Sequence, residues 1–123
     1  MMSQSHVCSV QAHDLGNHSV IRFSGPRVVL DELNTHTIGE QLLALVKRLK
    51  ARWFLVDMKN VAYLTSTGLG LFLRLRRELH GQGSRLTLCQ LGPHLHEMFQ
   101  VTNLHSLFDI RQRAEEPDVA MTP

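Results

Sequence analysis

Apolar and polar positions alternate at the start of the chain. Cys8, Val10 and Ala12 interleave with Ser9 and Gln11, a period of two that predicts a strand over residues 8–12. Residues 19–23 (Ser-Val-Ile-Arg-Phe) predict a second strand, and Asp14-Leu-Gly-Asn17 supplies turn residues for a hairpin. Gly25-Pro26 then breaks the pattern, with residues 27–30 as a short extended piece. From Thr37 the period changes. Ile38, Leu42, Leu45, Val46 and Leu49 form one stripe at helical spacing. Thr37-Ile-Gly-Glu40 has capping-box spacing and places the helix start at Thr37. Lys47, Arg48 and Lys50 fall in its last turn, where cations suit the helix dipole.

Trp53-Phe-Leu-Val56 reads as a strand buried on both faces, ending at Asp57. A loop over residues 57–64 leads to Thr65-Ser-Thr-Gly68, which opens a second helix running to His80. Gly81-Gln-Gly83 ends that helix with a left-handed cap. Residues 85–89 form a further strand, and Pro93 starts a third helix through Gln100 with Leu95, Met98 and Phe99 inward. Residues 107–110 suggest a last short strand. Strands joined by single helices should run parallel. The expected architecture is α/β: a single domain over residues 1–110, whose mixed sheet combines an N-terminal hairpin with parallel strands and carries packed helices. Residues 111–123 read as a loose tail.

Composition narrows the setting. A chain of 123 residues, 43% hydrophobic and 20% charged, supports one globular core rather than two. Its apolar runs are far short of the roughly 20 residues that span a bilayer. Residues 1–8 lack the basic-then-apolar pattern of a secretory signal. The only cysteines, Cys8 and Cys89, sit in strand patterns, so buried thiols in a reducing cytoplasm are expected. The formal charge of +2 is unevenly spread. Basic residues crowd between Lys47 and Arg85, and acids collect at Glu115, Glu116 and Asp118.

The segment from Trp53 to His80 carries the most information. Thr65, Ser66 and Thr67 stand where a helix begins, and hydroxyl residues there make good N-caps. Capping alone therefore accounts for one of the three. Phe72, Leu75 and Leu79, with Leu71 beside them, form the face that packs on the sheet. Leu69, Leu73 and Arg76 form a separate stripe, suited either to a partner or to burial under the third helix.

Asp57-Met-Lys-Asn-Val-Ala-Tyr-Leu-Thr-Ser-Thr-Gly-Leu-Gly70 resembles the signature of STAS domains of the anti-sigma-factor antagonist type. Gly83-Ser-Arg-Leu-Thr-Leu-Cys89, Leu91-Gly-Pro-His-Leu-His-Glu-Met-Phe99 and Leu104-His-Ser-Leu-Phe-Asp-Ile110 resemble later segments of the same family. The likeness covers residues 19–110. It implies a non-catalytic protein that binds an anti-sigma factor, itself a serine kinase, and is released when a hydroxyl before the glycine is phosphorylated. A phosphatase would reverse the change. The resemblance assigns the acceptor role to Thr67, with Ser66 second; the stripe of Leu69, Leu73 and Arg76, together with Thr65 and Gly68 at the helix start, is the inferred partner contact. It implies no cofactor and leaves a homodimer open. One departure stands out, because the family's aspartate two residues before the acceptor is Thr65 here. That substitution raises a second reading, a scaffold or constitutive binder that is never phosphorylated. A nucleotide-binding module and a hydrolase using Ser66 are weaker alternatives.

Other chemistries find little support. Gly68-Leu-Gly70 lacks the third glycine of a dinucleotide loop, and no phosphate-binding G-x-x-x-x-G-K-[ST] motif occurs. Leu64 stands where a nucleophile elbow around Ser66 needs glycine. His94 and His96 diverge on a helix, and His80 and His105 lack neighbouring ligands in sequence, so no metal site is expected. Arg74, Arg76 and Arg77 lie on one helix without a nucleic-acid-binding motif, and aromatics make up only 6%. Direct contact with nucleic acid or membrane is not expected.

Overall fold

The computed structural model describes residues 9–112. The hairpin forms where the alternation places it. Strand β1 (Val10–Asp14) pairs antiparallel with β2 (His18–Phe23). Gly16, at φ 99°, makes the turn between them, its amide held by the Asp14 carboxylate at 3.0 Å. The first strand thus lies two residues later than expected, and Cys8 falls outside the described residues.

Strand β3 (Val28–Leu30) leads to helix α1 (Thr35–Leu49). The helix starts two residues before the predicted Thr37. Asn34 is its N-cap residue but makes no side-chain cap bond, so the capping-box reading is wrong. The Asn34 amide is committed elsewhere: Oδ1 accepts from the Asp31 amide at 3.0 Å, and Nδ2 donates to the Val29 carbonyl at 2.8 Å. Ile38, Leu42 and Val46 are buried as the stripe predicts, whereas Leu45 and Leu49 are half-buried.

Strand β4 (Trp53–Asp57) is buried along its whole length. The segment read as loop contains a further strand, β5 (Val61–Leu64), which pairs in parallel with β3 as a small separate sheet. Its short run gave no clear periodic signal, and its partner lies more than thirty residues away. Helix α2 (Ser66–Gly81) follows at once, burying Gly68, Leu71, Phe72, Leu75 and Leu79. Its end is a double hydrogen-bonded cap, with Ser84 donating to Leu79 at 2.8 Å and Gly83 to His80 at 3.1 Å. Gly83, at φ 78°, supplies the left-handed residue.

Strand β6 (Arg85–Cys89), helix α3 (Pro93–Val101) and strand β7 (Asp109–Arg111) complete the order. The last strand begins after Leu107, because a single 3-10 turn, Leu104–Ser106, precedes it. It also reaches into the segment expected to be tail, of which residues 113–123 lie outside the described residues. The main sheet has the order β1-β2-β4-β6-β7, parallel throughout except for the first pair. One core joins its face bearing Ile21, Phe54, Val56 and Leu88 to the buried stripes of all three helices and to β3 and β5. Among the described residues no helix is long and apolar enough to cross a membrane.

Candidate functional site

The end of β3 and the start of α2 meet at Leu30. Its carbonyl accepts the Thr65 amide at 3.0 Å and the Thr65 hydroxyl at 3.4 Å. The same hydroxyl accepts from the Gly68 amide at 3.4 Å, so Thr65 is the N-cap of α2. Gly68 lies directly against β3. A Cβ at that position would stand 2.5 Å from the Leu30 carbonyl oxygen, inside contact distance. The glycine after the hydroxyl pair is thus required by close approach, not by a special backbone angle.

This packing fixes where the next two side chains point. Ser66 and Thr67 are both exposed on the first turn. Ser66 makes no side-chain hydrogen bond among the described residues. The Thr67 hydroxyl donates to Glu32 Oε2 at 3.1 Å, across the gap to the turn between β3 and α1. Glu32 was missed in the sequence, since nothing local links it to a residue thirty-five positions later. It brings a carboxylate to the hydroxyl where Thr65 does not. Two apolar residues near these elements also went unnoticed. Leu33, beside Glu32, is 91% exposed, and Tyr63, on the strand leading into α2, is 49% exposed.

The proposed contact stripe is only partly assembled. Leu69 and Leu73 are half-buried and pack against the core, leaving a partial apolar surface beyond Thr67. Arg76 is exposed, but its Nε donates to the Leu107 carbonyl at 2.7 Å. It staples α2 to the C-terminal turn, roughly 14 Å along the helix from Thr67. Glu78 on the same helix pairs with Lys47 of α1 at 3.8 Å. Among the described residues no group of histidine, cysteine or acidic side chains is arranged to hold a metal ion. Cys89 is buried.

The geometry defines a class: a small α/β domain that presents a hydroxyl pair on the first turn of a helix clamped to a neighbouring strand. The chain belongs to the STAS domain family, whose model matches residues 9–116. The anti-sigma-B factor antagonist of Staphylococcus aureus is 28% identical over 86 residues, covering 68% of this chain and 80% of that protein. An anti-sigma factor antagonist from Mycobacterium paratuberculosis superposes with a TM-score of 0.80 at 18% identity, over 99% of this chain and 100% of the other. The anti-sigma factor antagonist SpoIIAA in its unphosphorylated form gives 0.63 at 20% identity, over 90% of this chain and 94% of the other. These two superpositions show a shared fold.

Proposed function

We propose that this protein is a non-catalytic cytoplasmic anti-sigma-factor antagonist, controlled by phosphorylation of Thr67. It binds an anti-sigma factor that is also a serine kinase through the surface around the start of α2. The observation that carries this reading is the placement of Thr67. Its hydroxyl is exposed on the first turn of a helix that Thr65 and Gly68 lock against Leu30. Relatives named as anti-sigma factor antagonists supply the partner class.

In the modifying step, Thr67 Oγ1 forms a bond to the γ-phosphorus of a nucleoside triphosphate. The bond from that phosphorus to the bridging oxygen breaks, the nucleoside diphosphate leaves, and the hydroxyl proton passes to solvent or a kinase base. A phosphatase uses water to reverse the change. The phosphate adds about −1.5 to −2 charges at a helix start, where the dipole tolerates an anion and the domain stays folded. A partner seated there meets a buried dianion instead of a hydroxyl. A penalty of about 3 kcal/mol would weaken binding roughly a hundredfold.

The test is capture from the native host, comparing wild type with Thr67→Glu and identifying partners by mass. The reading expects one anti-sigma factor, held by wild type and released about a hundredfold more readily by Thr67→Glu. Equal retention of that partner by Thr67→Glu would instead favour the constitutive scaffold suggested by Thr65. Absence of any anti-sigma factor would reject both.

A further inference from the structure

The turn between β3 and α1 is built more tightly than a connection of its length requires. The Leu33 amide donates to the Asp31 carboxylate at 2.9 Å, and the Thr35 amide donates to the Asp31 carbonyl at 3.0 Å. Asn34 closes the turn from the other side through the Asp31 amide and the Val29 carbonyl. On this rigid platform Leu33 is 91% exposed and adds nothing to the core. Glu32, next to it, makes no ion pair with a basic side chain among the described residues and bonds to Thr67 instead. A preorganised turn that displays one large apolar side chain loses little freedom on binding, which is what an anchor residue needs.

We infer that residues 31–34 form a second arm of the switch, in which Leu33 anchors the partner protein in an apolar pocket and Glu32 latches the arm to unmodified Thr67. The inference rests on the proposed function for its partner, but the latch itself belongs to this chain alone. A hydroxyl can donate to the carboxylate; a phosphorylated oxygen cannot. Modification removes the shared proton and sets a dianion beside an anion whose partner was 3.1 Å away. Glu32 must retreat, and the turn that carries it loses its tie to α2 and keeps only its internal hydrogen bonds. Modification therefore acts at two places, blocking the helix start and withdrawing support from the Leu33 anchor.

Amide hydrogen exchange on the isolated full chain tests the latch without a partner. Thr67→Glu and protein carrying phosphothreonine at position 67 should exchange about tenfold faster than wild type at the Leu33 and Thr35 amides. Adding Glu32→Gln to Thr67→Glu removes the like charge and should return exchange to within about threefold of wild type. Unchanged exchange in the modified proteins, or no rescue by Glu32→Gln, would overturn the latch. The anchor is tested with the anti-sigma factor identified by capture. Leu33→Ala should weaken its binding about tenfold, while Leu15→Ala, at the exposed β1–β2 turn, should leave it unchanged. Equal affinity for Leu33→Ala and wild type would overturn the anchor. Failure to find any anti-sigma factor would count against the functional reading, and exchange would still decide the latch.

Discussion

Helices α1 and α2 both begin beside the end of β3, yet their first turns are secured in different ways. At α2 the securing groups are local. Thr65 caps the helix with its own hydroxyl, and Gly68 lets the first turn press against the Leu30 carbonyl. At α1 the N-cap side chain turns away from its helix and ties Val29 and Asp31 together. The α2 start is thus held as part of the helix, and the α1 start as part of the turn before it. The difference separates a helix start fixed by its own residues from one fixed through the turn that precedes it.

The sharpest way to break this contrast is Gly68→Ala. Helix propensity alone would make alanine the better residue by about 1 kcal/mol. The new methyl, however, would meet a backbone oxygen at 2.5 Å, and that oxygen also accepts the Thr65 amide. Backbone cannot rotate aside as a side chain can. The expected net result is a loss of about 2–3 kcal/mol, overpacking outweighing propensity. Thermal denaturation should show a melting point lower by roughly 8–12 °C. A change of under about 2 °C would mean that α2 is not clamped to β3 as described.

A milder comparison sets Asn34→Ala against Thr65→Ala. Asn34 is half-buried and loses two bonds, of 3.0 and 2.8 Å, to backbone groups. Its removal should lower stability by about 1.5–2 kcal/mol in denaturant titration. Thr65 contributes two longer bonds of 3.4 Å, so its removal should lower stability by about 1 kcal/mol or less. The reverse order would show that the α2 cap contributes more to stability than the two bonds of Asn34.

The same contrast explains what could be read from the chain. The hairpin and the three helices announced themselves through periods of two and 3.6, the strand at Trp53 through an unbroken apolar run, and Pro93 and Gly83 marked ends by local chemistry. The start of α2 was legible because cap and glycine stand within four residues. The start of α1 was not, because Thr37 and Glu40 imitate a capping box while Asn34 answers to Val29 and Asp31 across a turn. Strand β5 was hidden for a related reason. Its short run, Val61–Leu64, is a strand only because β3 lies alongside. Thr67 was singled out through the family signature, whereas Glu32 becomes its neighbour only when that β3–β5 pairing forms. Arg76 was placed on the right helix, but its bond to Leu107 depends on how the C-terminal turn folds back.

The smallest effect comes from the other glycine of the pair. Gly70 sits in the same first turns of α2, yet nothing lies within 4 Å of the Cβ it would gain. Alanine there gains helix propensity and narrows the unfolded chain without any clash. Gly70→Ala should therefore raise stability by about 0.5–1 kcal/mol, read as a melting point higher by roughly 2–4 °C. The two substitutions add the same methyl, two residues apart, and are expected to move stability in opposite directions. If both destabilised the protein, the start of α2 would need glycine's flexibility. Opposite signs would assign the need at Gly68 to its close approach to Leu30, and with it the clamp between α2 and β3.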